Sequence, residues 1–266
     1  MKKAILIFLF LFLVTAFGQK INGTSQKALI LHDFKHGPIP NPEYGSSNKT
    51  YLDSLSFARI TIFLRPNDFS VNVSGNCMSS NPMSYQIIAN ALAPANALAP
   101  IKDIPFNHLK QNYVLVFGNS PGDVFDDWSV PIQNFANLAK AIKNAGLSGI
   151  YFDNEEYSRH WTNYPDACLY KNKTLQEYQD QVWLRGKELM EAMVSQFPQI
   201  KFIVLHGPYI SEPLAPSPLF PQWQTHNELK GPFFAGLLEG TGSTAVVIDG
   251  GELYNYRITQ EFRRFV

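Results

Sequence analysis

Basic surplus, cysteine and long apolar stretches are all scarce in this chain of 266 residues, and each shortage closes off a class of function. Twenty-two Lys and Arg stand against 22 Asp and Glu, a formal charge of zero. A nucleic-acid partner is not expected, because phosphate binding draws on clustered positive charge that no segment supplies. Beyond the amino terminus no apolar run approaches the ~20 residues that a membrane-spanning helix needs, so no membrane partner is expected of the mature chain. Neither Gly-x-Gly-x-x-Gly nor Gly-x-x-x-x-Gly-Lys-Ser/Thr occurs, which weakens a dinucleotide- or phosphate-binding open sheet, and no cofactor is expected.

The first 18 residues read as a signal peptide. Lys2 and Lys3 form a basic start, residues 4–14 an apolar run, and Ala16-Phe17-Gly18 a small-x-small cleavage site. A secreted protein is therefore expected, extracellular, periplasmic or in a secretory lumen, with residues 19–266 as one domain. Export makes a disulfide between Cys77 and Cys168, the only two cysteines, the expected state; two separate buried thiols are the alternative. Asn22, Asn48, Asn72 and Asn172 begin Asn-x-Ser/Thr sequons, which matter only in a eukaryotic secretory pathway.

Six β-branched or aromatic runs punctuate the mature chain, at 28–32, 57–64, 113–117, 149–153, 201–206 and 245–249. Each reads as a buried strand. Helical patterns lie between them. One starts near Ser129, with Pro131 in its first turn and Gly146 as its stop; another starts at the capping box Thr174-Leu175-Gln176-Glu177 and runs to Pro198. Residues 70–105 and 208–224, rich in turn formers, read as long excursions between strand and helix. Alternation of strand and helix implies a parallel sheet in an α/β protein. Because nearly every run ends in polar residues, a TIM-barrel-like (β/α) fold is favoured over an open sheet. At the observed rhythm eight units would take about 350 residues. About six of eight units are present, so the barrel is expected to be incomplete at its carboxyl end or closed in an unusual way.

The sharpest chemical feature is Tyr151-Phe152-Asp153-Asn154-Glu155-Glu156-Tyr157, a hydrophobic strand running into three carboxylates. Period-two geometry puts Tyr151, Asp153 and Glu155 on one face. Neighbouring carboxylates raise one another's proton affinity, and an acid beside a carboxylate suits glycosidic bond cleavage. A pair of solvated or helix-capping acids is the plainer alternative.

This segment resembles the TIM-barrel glycoside hydrolases. Family 18 chitinases carry Asp-x-x-Asp-x-Asp-x-Glu on their fourth strand. Laid on residues 148–155, the pattern is matched by Asp153 and Glu155, while Ser148 and Tyr151 stand where the family has Asp. The resemblance implies Glu155 as proton donor and Asp153 as its partner. In melibiase-type enzymes a fourth-strand Asp is nucleophile and a sixth-strand Asp is acid, which resembles a pairing of Asp153 with Asp249, both expected to face one central cavity.

Other residues fill out the expected site. His206 at a strand end and Glu252 after Asp249-Gly250-Gly251 are candidate sugar contacts, with Tyr151, Glu156 and Tyr157. Trp128 and Trp161 are candidate stacking rings. His32, Asp33 and His36 lack the spacing of a metal motif, and no metal is expected. Ser148 sits at a strand start rather than on an elbow, so serine-hydrolase chemistry is not expected. The expected function is a secreted glycoside hydrolase acting on a poly- or oligosaccharide. A catalytically silent carbohydrate-binding or interaction protein is the alternative.

Overall fold

The computed structural model describes residues 30–31, 47–54, 59–64, 72–93, 103, 107, 111–119, 122–155, 161–166, 168–206 and 229–250. Six strands are present among them: β1 (Ile30–Leu31), β2 (Arg59–Phe63), β3 (Tyr113–Phe117), β4 (Gly149–Asp153), β5 (Lys201–Val204) and β6 (Val246–Asp249). They lie side by side in chain order, and every neighbouring pair is parallel. The helices are α1 (Lys49–Ser54), α2 (Val73–Asn76), α3 (Tyr85–Leu92), α4 (Ser129–Asn144), α5 (Leu175–Gln196) and α6 (Lys230–Glu239). None of these helices is long and apolar enough to cross a membrane. The α/β reading with a parallel sheet holds. Residues 1–18, read above as a signal peptide, and the stretch 208–224 lie outside the described residues.

The run Tyr113-Val114-Leu115-Val116-Phe117 is apolar throughout because both faces of the sheet are covered. Alternation sends Val114, Val116, Ile150, Phe152, Phe202 and Val204 into one cluster, which also takes in Leu52, Ile88, Phe135, Tyr178, Leu189 and Phe233 from the helices. Tyr113, Leu115, Tyr151, Ile203 and Leu205 form a second cluster with Phe63, Phe117 and Ile248, to which no helical residue contributes. Among the described residues, then, the helices all cover one face. The opposite face is an inner layer of strand side chains.

Local chemistry sets the helix ends. Thr174 and Glu177 form the expected capping box, and Gly146 at φ 68° ends the turn after α4, a backbone region that disfavours other residues. Helices α2 and α3 correct the reading of residues 70–105 as a plain excursion. The Asn72 and Ser84 side chains cap them by accepting from Gly75 N–H and Ile87 N–H, and Val73, Ile88, Ala91 and Leu92 are buried in the helix-side core.

Cys77 and Cys168 form no disulfide. Each thiol is buried in the helix-side core, where burial pushes that of Cys77 well up and keeps it protonated. Cys168 Sγ donates weakly to Asn163 O at 3.8 Å. This corrects the expected bridge, since the core holds both sulfurs as small apolar groups.

Helices α5 and α6 meet through glycines: a Cβ on Gly236 would run into the Trp183 carbonyl, and one on Gly186 into the Phe233 carbonyl. Gly236→Ala should therefore cost about 1–3 kcal/mol by forcing the backbones apart. Chemical denaturation measures this, and an unchanged midpoint would contradict the close approach. At the start of α5, Lys173 Nζ lies 2.7 Å from Glu177 Oε1. That contact, with the Thr174 N–H and hydroxyl, holds the Glu177 carboxyl down to about 2. Its folded-state value lies below its ordinary one, so its stabilisation is present above pH about 4.5 and is lost as pH falls toward 2. The acid limb of a pH–stability curve should flatten in Glu177→Gln, and identical limbs would contradict this.

Candidate functional site

The polar residues of interest gather where β3, β4 and β5 end. Past the last regular pairs the strands stay locked together. Gly118 N–H donates to Asp153 O at 2.6 Å and Leu205 N–H to Phe152 O at 2.9 Å. One step further, the Asn154 side chain continues the ladder: Nδ2 donates to His206 O at 2.7 Å, and Oδ1 accepts from His206 N–H at 2.8 Å. A side-chain amide thus bonds like a peptide group of a neighbouring strand. Both residues are buried, so neither of the His206 backbone groups is left unpaired.

This lock places the acids. Asp153 is buried at 1% exposure, and its Oδ1 accepts from Glu155 N–H at 3.0 Å, turning the chain sharply out of the strand. Glu155 emerges with its side chain 39% exposed, and its Oε1 lies 3.6 Å from His206 Nε2 on the 7% exposed imidazole. The result is a solvent-accessible carboxylate backed by a buried imidazole, with a buried carboxylate at the foot of the turn. Such a group can give or take a proton at a substrate while the imidazole sets its orientation.

Gly118 permits the arrangement, since a Cβ there would stand 3.1 Å from Asp153 O and Asn154 Cα. Its carbonyl accepts from Trp161 Nε1 at 3.0 Å. Trp161 packs edge to face on Trp128, whose Nε1 donates to the carbonyl of Asp123, the centre of a buried network. Asp123 Oδ2 accepts from Tyr178 OH at 2.9 Å and Leu169 N–H at 2.8 Å, and its Oδ1 accepts from Phe125 N–H at 3.0 Å. Burial, reinforced by the bond to Asp123, pushes the Tyr178 phenol far above its ordinary range. The network pins the chain that follows β4 onto α5.

Several expected residues land elsewhere. Trp128 and Trp161 are corrections: they are buried at 0% and 4% exposure and meet edge to face at 5.5 Å. Trp128 Nε1 donates to Asp123 O at 2.9 Å, so neither ring offers a free face to a sugar. Asp249 pairs in register with Val204, itself paired with Phe152, whereas Asp153 pairs with Phe117. One residue of offset sends Asp249 to the opposite face of the sheet, so the two aspartates do not face one cavity. Tyr151 does share the Asp153 face, in the inner cluster. Glu156, Tyr157 and Glu252 lie outside the described residues, as do His32, Asp33 and His36. Among the described residues no three His, Cys, Asp or Glu side chains group as a cation would need.

Sequence reasoning passes over Asn154, Gly118 and Asp123. It also passes over Gly118-Asn119-Ser120-Pro121-Gly122, which spells Gly-x-Ser-x-Gly directly after β3. Ser120 lies outside the described residues, and α4 begins only at Ser129, so no helix follows the string as a nucleophile elbow requires. The glycines serve close approaches instead, Gly118 to β4 and Gly122, at φ 142°, to Asp126.

Comparison with protein-family models, curated proteins and solved structures found no match for this chain. The arrangement of its own residues carries the functional reading.

Asn154→Ala removes the two bonds that the Asn154 amide makes to the buried His206 N–H and C=O and should cost about 2–4 kcal/mol. Asn154→Asp keeps the acceptor but turns an oxygen toward the His206 carbonyl, so it should stay destabilised. Denaturant unfolding of both variants measures this, and wild-type stability in Asn154→Ala would contradict the lock.

Proposed function

We propose that the protein is a secreted glycoside hydrolase on a barrel-like (β/α) scaffold, with Glu155 as the acid that protonates the leaving glycosidic oxygen. The observation that carries this reading is Glu155 itself, half exposed at the carboxyl edge of β4, with His206 3.6 Å from its carboxylate and Asp153 buried beneath. Strand order supports the scaffold. An open doubly wound sheet reverses its order at a switch point, whereas these strands follow one another in sequence with helices on one face, which is how a barrel is wound. In such folds chemistry sits at the carboxyl ends of strands, where Glu155 and His206 stand.

In the proposed reaction the Glu155 carboxyl gives its proton to the leaving oxygen as the bond to the anomeric carbon breaks. Water then adds to that carbon and returns a proton to the Glu155 carboxylate, which restores the acid. His206 holds the carboxylate on the substrate side. Asp153, its Oδ1 engaged by Glu155 N–H, fixes the turn and adds negative potential beneath the developing oxocarbenium charge. With Asp249 on the other face, the second carboxylate of the pair is Asp153. The carbohydrate is gripped by polar strand-end groups and not by Trp128 or Trp161.

A second reading, a silent scaffold that binds carbohydrate, draws on the placement of Asp249 on the opposite face of the sheet, away from Glu155. Mass spectrometry after incubation with chitin, β-glucans and α-galactosides separates the two. The natural protein should release shortened oligosaccharides, and Glu155→Gln should turn over ~10²–10⁴-fold more slowly with an unchanged circular dichroism spectrum. Full turnover in Glu155→Gln would remove Glu155 from the role of acid, and binding without cleavage would establish the silent scaffold.

A further inference from the structure

At the amino ends of the strands, opposite the edge that bears Glu155, register sets Thr61, Tyr113, Gly149, Lys201 and Val246 in one row. Alternation turns this row to the inner face. Arg59, two residues before Thr61, points to the same face. Gly149 contributes no side chain between Tyr113 and Lys201. Across that gap Lys201 Nζ donates to Gln111 Oε1 at 3.2 Å.

The groups here are one-sided. Tyr113 is fully buried, and its hydroxyl has no hydrogen-bond partner. The Arg59 charge reaches both the Tyr113 phenol and the Lys201 ammonium. Burial first, and the Arg59 charge second, lower the proton affinity of Lys201. Among the described residues neither cation has a carboxylate within ion-pair distance. Buried donors ordinarily find acceptors, and like charges brought together ordinarily find a counter-charge. A guanidinium, an ammonium and a phenol therefore share one end of one face, where among the described residues the acceptor seen on either cation is the Gln111 amide oxygen, on Lys201.

We propose that the amino-end mouth of the inner face binds a small divalent oxyanion of the phosphate or sulfate class, held by the Arg59 guanidinium, the Lys201 ammonium and the Tyr113 hydroxyl. Two positive charges match the anion's two negative charges, the guanidinium fork suits a pair of its oxygens, and the phenol donates to a third. At ~3.3 Å per residue the five-residue strands set this site about 13 Å from the carboxyl edge. The site is thus separate from Glu155, and the inference stands whether or not the protein cleaves glycosides.

The test is calorimetric titration of the full chain with inorganic phosphate, and separately with sulfate, at ionic strength held constant with chloride, alongside thermal unfolding in the same buffers. The expected result is saturable binding and a Tm that rises with phosphate or sulfate relative to chloride. Tyr113→Phe removes only the orphan hydroxyl, so it should fold at least as stably and bind ~3–10-fold more weakly. Arg59→Gln should weaken binding ~10–100-fold. Equal Tm in phosphate, sulfate and chloride, or wild-type affinity in folded Tyr113→Phe, would overturn the proposal.

Discussion

The carboxyl ends of β4 and β5 are joined by a side chain acting in place of a peptide group, and the candidate site depends on that join. Without the Asn154 amide, the His206 backbone would lose a bond at its buried donor and another at its acceptor. With it, the ladder runs one residue past the last strand pair, and Glu155 turns out over a fixed imidazole. The Asp153–Glu155 turn, the approach of Gly118 and the Trp161 indole bond all bear on the same few residues. A carboxylate held from several sides keeps its geometry, which is what preorganisation would require of the proposed acid.

Winding of the sheet explains why such a site has two distinct surroundings. Parallel strands in chain order, with helices over one face, give a large mixed core on that side. Among the described residues the inner face is lined by strand side chains, apolar in its middle layer and polar at both ends. Its carboxyl end bears Asp153, with Glu155 just beyond. Its amino end bears Arg59, Tyr113 and Lys201, groups that donate hydrogen bonds. One face of one sheet thus carries acidic chemistry at one end and cationic chemistry at the other, with about a strand length of packed hydrocarbon between them.

Much of the scaffold was legible in the residues. Tyr113–Phe117 and Gly149–Asp153 read as buried strands because no polar residue interrupts them before their ends, and Thr174 with Glu177 announces a helix by local chemistry alone. Helices α2 and α3 were hidden in a stretch rich in Ser, Asn, Ala and Pro, where Asn72 and Ser84 look like loop residues until their caps are seen. Glu155, Asp153 and His206 could be placed at strand ends because each follows an apolar run. The role of Asn154 could not, since its partner lies 52 residues away. The direction of Asp249 turned on a register offset of a single residue. Trp128 and Trp161 near strand ends read alike whether they face a ligand or the core, and only tertiary packing separates the two.

Amide hydrogen exchange at His206 tests the central claim most directly, because that N–H lies beyond β5 and is protected only if Asn154 accepts from it. The account predicts that the His206 amide exchanges as slowly as that of Leu205, which is bonded to Phe152 O within the ladder. Exchange at the rate of an open loop would show that the ends of β4 and β5 are not locked together, and the fixed pairing of Glu155 with His206 would fall with them.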